Sequence, residues 1–142
     1  MGRSRGGLTT KIHALVDALG RPIRLMLSEG QAYDGHAAAK LLDRLPGGCR
    51  LLADRAYDSN AIRTLLEQRG ATAVIPSMPR RNPVIAHDRE SYKSRNCIER
   101  FFNKLKHFRA VATRYDKRDD NYLASVQLAS IRIWLRSYES VA

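Results

Sequence analysis

The spacing of apolar and polar positions divides the chain into short elements. Residues 9–16 (TTKIHALV) are apolar and β-branched and predict a strand. The turn Asp17-Ala18-Leu19-Gly20-Arg21-Pro22 follows, and residues 23–27 predict the return strand of a hairpin. An Ala- and Leu-rich segment opening at Asp34-Gly35-His36 predicts a helix to about Leu45, capped by Asp34 and stopped by Pro46-Gly47-Gly48. Residues 50–53 predict a short strand ending at Asp54. Asp58 or Ser59 then caps a helix over 60–69 that stops at Gly70. Residues 72–75 (TAVI) predict a further strand broken by Pro76, and residues 78–87 a Pro- and Arg-rich loop. Residues 92–109 predict one continuous helix. Asp119 or Asp120 caps a last helix to about Tyr138, with Leu123, Val126, Gln127, Ser130, Ile131 and Trp134 along its apolar stripe. Strands alternating with helices argue a mixed α/β sheet covered by helices.

The chain of 142 residues suits one ordinary domain, and residues 1–8 predict a flexible basic lead-in. It lacks an apolar run of membrane-spanning length and a signal-peptide pattern in its first residues, so the expectation is a cytoplasmic protein without membrane partners. Cys49 and Cys97 stand in unlike contexts, make no zinc motif, and are expected to be buried or neutral fillers. Charge changes the picture more. The balance is 25 Lys/Arg against 14 Asp/Glu, a net of +11, and residues 80–118 hold twelve of the basic residues against four acidic ones. A solvated surface would explain this, but a polyanion-binding face explains it better, because each neutralised phosphate releases condensed counterions. Charge alone does not separate DNA from RNA or an anionic membrane.

Two carboxylates stand out. Asp54 ends an apolar strand, where side chains of an α/β sheet tend to face the ligand crevice. Its plain alternative is a cap, a role that Asp58 fills for the next helix. Glu99 stands among Tyr92, Arg95 and Lys106, at spacings that place all four within an arc of roughly 60° on a continuous helix. Ile98, Phe101, Phe102, Leu105 and Phe108 form a stripe about 110° away, which would pack on the sheet. Its plain alternative is a surface ion pair between Arg95 and Glu99. Two carboxylates from distant segments suit a hard divalent cation such as magnesium, which takes oxygen ligands and substrate phosphates. A pair of such ions can drive phosphodiester displacement. No HExxH, nucleophile elbow, P-loop, GxGxxG or RNA-recognition aromatic pattern occurs.

The run from Tyr92 to Lys106, YKSRNCIERFFNKLK, resembles the Tyr, two residues, Arg, three residues, Glu, six residues, Lys signature of bacterial insertion-sequence transposases. The segment ADRAYDS looks like the block around the second aspartate of those enzymes. The opening GRSRGGLTTKIHALVDALGRPI is similar to the segment after their first aspartate. The nearest group is the family of insertion sequence five. The resemblance implies a ribonuclease-H-like fold, with a mixed sheet flanked by helices, and a DDE triad that binds two Mg2+ or Mn2+ ions. It makes Asp54 the second acidic ligand and Glu99 the third. Tyr92, Arg95 and Lys106 become DNA-binding or site-orienting residues. The reaction implied is metal-dependent cleavage and strand transfer at the ends of an insertion sequence, on double-stranded DNA, with a homodimer expected from the pairing of two ends.

One departure bears on these expectations. The first aspartate should precede the GGLTTKIH block, yet no Asp stands before Asp17, and Asp17 lies in a turn. The expectation is a domain lacking its first, central strand, with open strand edges, a poor enzyme in isolation and marginally folded. An upstream reading-frame product would then supply the first Asp. The alternative is a catalytically inactive DNA-binding fragment that regulates transposition, or a decayed remnant.

Overall fold

In a computed structural model of the chain, residues 2–4, 7–114 and 117–140 are described. They fall into two compact units, one made of Met1–Gln31 with Asn96–Ala142 and the other of Ala32–Arg95.

The first unit is built on an antiparallel sheet. β1 (Gly2–Ser4) pairs with β2 (Gly7–Val16), which pairs in turn with β3 (Pro22–Glu29). Within the segment expected as a lead-in, Gly2 to Ser4 form ladder pairs with Gly7 to Thr9, a close antiparallel return that satisfies backbone groups. Arg5 and Gly6 of that lead-in lie outside the described residues. In the β2–β3 hairpin Ile12 faces Leu27 and Ala14 faces Leu25, so period-two alternation puts these four on one face. That face packs against Phe101, Leu105, Val111, Tyr122, Val126, Ala129 and Ile133. On the opposite face buried His13 shares a 2.6 Å hydrogen bond with Ser28.

The hairpin turn is tied down locally. Asp17 accepts from the backbone N–H groups of Leu19 and Arg21 and from Arg21 Nε at 2.7 Å. Burial pushes its carboxyl up, but the Arg21 and Leu19 hydrogen bonds and the Arg21 charge outweigh this and hold it below the usual carboxylate range. Gly20 takes φ +76°, and a Cβ there would meet the Cys97 carbonyl oxygen at 3.2 Å, so both backbone conformation and space call for glycine. The Arg21 guanidinium lies 4.4 Å from the Trp134 ring centroid, and Trp134 Nε1 donates to the Pro22 carbonyl at 2.6 Å.

The predicted helix over 92–109 is corrected. Helical structure starts earlier, at α3 (Arg89–Tyr92), because Asp88 accepts from the N–H groups of Glu90 and Ser91 and caps it. The chain tightens into a 3-10 turn at Lys93–Arg95, resumes as α4 (Asn96–Leu105), and ends before the separate turn α5 (Arg109–Ala112). The last helix, α6, spans Asp119–Glu139. Asp119 and Asp120 lie in its first turn; the N-cap position belongs to Arg118, which makes no side-chain cap bond. Its buried stripe is Tyr122, Val126, Ala129, Ser130 and Ile133. Of the predicted stripe, Val126 and Ser130 are buried, Leu123 and Trp134 half-buried, and Gln127 and Ile131 exposed. Apolar side chains stand on several faces of this helix, so packing on β3 and the Trp134 anchor fix its rotation where the pattern does not.

The second unit contains β4 (Arg50–Leu52) and β5 (Thr72–Val74), which pair in parallel. Parallel neighbours need a crossover, and α2 (Asn60–Gln68) supplies it. Ser59 caps α2 by accepting from Ile62 N–H at 3.2 Å, and Gly70 at φ +65° ends the segment. α1 (Asp34–Leu41) packs on α2, and α2 packs on β5. Buried here are Ala37, Ala38, Leu41, Leu42, Ile62, Leu66, Val74 and Ile75. The predicted Asp34 cap is corrected: Tyr33 holds the N-cap position without a side-chain cap bond, and Asp34 is the first helical residue, where an acidic group suits the helix dipole.

Candidate functional site

Asp54 is exposed and lies two residues past the end of β4. Its Oδ1 accepts the Ala56 N–H at 2.9 Å and caps the 3-10 turn Arg55–Tyr57. The expectation that Asp54 has no structural task is therefore corrected: the N–H groups at the start of the 3-10 turn have no partner within it, and that of Ala56 finds its acceptor in Asp54. One carboxylate oxygen suffices for this, so the capping task and a ligand task do not exclude each other.

The 3-10 turn carries Tyr57, whose phenol is pushed up to about 12, first by burial and then by the negative charges of Asp34 and Asp54. The phenol thus stays protonated beside two carboxylates and is a hydrogen-bond donor over the whole physiological range. A raised pKa favours the folded state below the ordinary value of 10.0, and this stability is lost as pH rises through about 12. In an alkaline absorbance titration, the difference between the wild-type chain and Tyr57→Phe should rise near pH 12; a rise near pH 10 would contradict the placement.

Asp58 closes the same segment. Of the two caps expected for α2, Asp58 or Ser59, Ser59 has that task. The Asp58 side chain is fully buried, accepting from Arg63 Nε at 2.7 Å, Arg81 Nε at 2.7 Å and the Met78 N–H at 2.6 Å. Burial pushes its carboxyl up; the hydrogen bonds from Arg81, Met78 and Arg63 outweigh this and hold it below the usual carboxylate range. Sequence reasoning missed this clamp. Arg63, five residues on, was a local signal, but nothing in the spacing pointed to Arg81.

Of the signature residues, Tyr92 and Arg95 belong to the second unit and Glu99 and Lys106 to the first. Tyr92 ends α3, with the Arg95 guanidinium 5.6 Å from its ring centroid and the His87 ring at 5.3 Å, edge to face. α3 is tied to β4 by Arg50 Nη1, which donates to Ser91 Oγ at 2.7 Å and lies 3.7 Å from Asp88. Glu99 is exposed on the first turn of α4, the helix whose Phe101 and Leu105 are buried and whose Ile98 and Phe102 pack on the core. α4 is further fixed by Cys97 Sγ, 3.2 Å from the Ala18 carbonyl. Lys106 is exposed just beyond the end of α4. The single arc expected for the four residues is corrected. It assumed α-helical rotation throughout, whereas a 3-10 turn separates Tyr92 from α4 and Lys106 lies past the helix end.

Among the described residues no three His, Cys, Asp or Glu side chains converge as a metal cluster, and no helix is long and apolar enough to cross a membrane. Both cysteines are free, Cys97 buried and Cys49 half-buried.

Residues 2–134 match the family model described as the transposase DDE domain. The chain belongs to the DDE-domain transposases. It is 42% identical over 130 residues to a Brucella ovis protein assigned as transposase for insertion sequence element IS6501, covering 91% of this chain and all of that one. It is 32% identical over 142 residues to a Burkholderia cepacia protein assigned as transposase for insertion sequence element IS402. That match covers 89% of this chain and 62% of the relative's length. No solved structure matches the chain significantly. Membership in this family agrees with the mixed α/β architecture.

Proposed function

We propose that this DDE-transposase chain supplies two carboxylates, Asp54 and Glu99, to a metal-dependent centre that cleaves and rejoins DNA at insertion-sequence ends. The observation that carries the reading is the family match over residues 2–134, within which both carboxylates are exposed at the ends of fixed elements, Asp54 after β4 and Glu99 on α4. Their hard oxygen donors fit Mg2+ or Mn2+, which prefer carboxylates and leave positions for water and substrate phosphates. In this reading a third carboxylate completes the ligand set. Bound ions supply Lewis-acid stabilisation of the attacking and leaving oxygens in phosphodiester exchange. In this reading Tyr92, Arg95 and Lys106 hold the scissile strand or orient the carboxylates, and Tyr57 stays a neutral donor beside Asp54. The finer architecture proposed is ribonuclease-H-like, a mixed sheet flanked by helices. The presence of both antiparallel and parallel strand pairs, with a helix crossing over between β4 and β5, supports it. A homodimer holding two DNA ends belongs to the same proposal.

The test is cleavage of a duplex bearing an element end by the complete transposase containing these residues, with Mg2+ and then with EDTA. Nicking that requires the metal is expected. Salt-sensitive DNA binding without nicking under any divalent ion would leave a regulatory DNA-binding fragment as the function.

A further inference from the structure

The Pro- and Arg-rich connection between β5 and α3 carries a feature that the catalytic reading does not use. Its base is pinned twice. Ser77 Oγ accepts the Ile85 N–H and donates to the Ile85 carbonyl, both at 2.8 Å, which closes the segment 77–85 on itself. Buried Asp58 then holds the inner side through the Met78 N–H and Arg81. Arg81 Nη1 also donates to Asn60 Oδ1 at 2.7 Å. Within this arch the two adjacent arginines part company. Arg81 turns inward to the Asp58 clamp with a side chain 16% exposed, whereas Arg80 is exposed. Around Arg80 the arch presents Met78, Pro79, Asn82, Pro83 and Val84, all exposed, Val84 at 73%.

An exposed apolar side chain on an internally clamped loop costs solvation without serving the core, and surface loops held rigid are common places for recognition. The arch couples one cation, one amide and several apolar surfaces. A phosphate–sugar–base surface offers the matching anion, polar edges and apolar faces. We infer that residues 78–84 form a pre-organised DNA-contacting arch, with Arg80 on a backbone phosphate and Met78 and Val84 against sugar or base surface. The inference rests on the DNA-binding reading and adds a contact site to it. The net charge of +11 suits a polyanionic partner, and the DNA-binding reading selects DNA among these. Because the arch is fixed before binding, little ordering entropy is lost when the contact forms.

The experiment measures binding of the full chain to a fluorescein-labelled DNA duplex across a salt series. Arg80→Gln should weaken binding about three- to tenfold at low salt and lower the log–log salt slope by about 0.9. Val84→Ser should weaken binding about threefold with the slope unchanged, because no phosphate contact is lost. Ser77→Ala, which frees the base of the arch but keeps Arg80, should weaken binding as well. Arg44→Gln, removing one exposed charge beyond α1, is the comparison. If Arg44→Gln and Arg80→Gln have equal effects, or Arg80→Gln has none, the arch is overturned while DNA binding stands. If the wild-type chain does not bind the duplex even at low salt, both readings fall.

Discussion

Asp58→Ala should destabilise the unit formed by Ala32–Arg95 by about 3–5 kcal/mol, because it leaves two largely buried guanidinium groups without their shared carboxylate. Arg63 would keep its bond to the Ile75 carbonyl and Arg81 its bond to Asn60, so the loss falls mainly on the charge and on the Met78 N–H. The check is urea denaturation followed by circular dichroism, with hydrogen exchange in α2 and β5 reporting the unit directly. The pH dependence has a definite sign. The folded-state pKa lies below the ordinary value of 3.8, so the carboxylate contributes its stability above that value. The stability is lost as pH falls below it, through the folded-state pKa. The wild-type chain should therefore lose stability below about pH 4 more steeply than Asp58→Ala. A variant within about 0.5 kcal/mol of wild type at pH 7, the range of ordinary surface changes, would show that the clamp does not hold the unit together.

Glu99→Gln and Asp54→Asn should each lower metal-dependent DNA cleavage by the complete transposase about a thousandfold or more, at least about 4 kcal/mol of transition-state stabilisation. Each replaces a carboxylate by an amide of nearly the same shape, so the local structure is kept. At position 54 the amide oxygen can still accept the Ala56 N–H, so the 3-10 turn remains capped. Glu99 is exposed on α4, so stability should change by less than about 0.5 kcal/mol. DNA affinity should stay within a few-fold of wild type, which separates a lost ligand from a lost fold. Cleavage retained in both variants would remove these residues from the centre and reduce Asp54 to its capping task.

The same turn thus holds three acidic or phenolic groups with different tasks. Asp54 faces solvent, Tyr57 is a neutral phenol, and Asp58 is locked inside. The sequence ADRAYDS places them close together but does not rank them. Reading Asp58 as the cap made Asp54 look free for function, whereas the capping is divided between Asp54 and Ser59.

Local pattern alone determined the β2–β3 hairpin, the strands β4 and β5 with the helix between them, the loop after β5 and the long last helix. Each rests on interactions short in sequence: alternation on one strand face, a cap, a glycine at positive φ, a proline stop. The resemblance to the transposase signature singled out Glu99, Tyr92, Arg95 and Lys106, whereas the helical arc argued from their spacing did not survive the 3-10 turn at Lys93–Arg95. What only tertiary structure decided depends on distant partners. The Arg50–Ser91 bond spans 41 positions, and with Asp88 capping α3 it goes with a helix start that the apolar pattern, centred on 98–108, did not reveal. The face buried by α6 follows from Trp134 reaching Pro22, 112 positions away, because a helix with apolar residues on several faces has no rotation fixed by its own periodicity. The inward turn of Arg81 and outward exposure of Arg80 were equally hidden, since two adjacent arginines are alike until a buried carboxylate 23 positions earlier selects one of them.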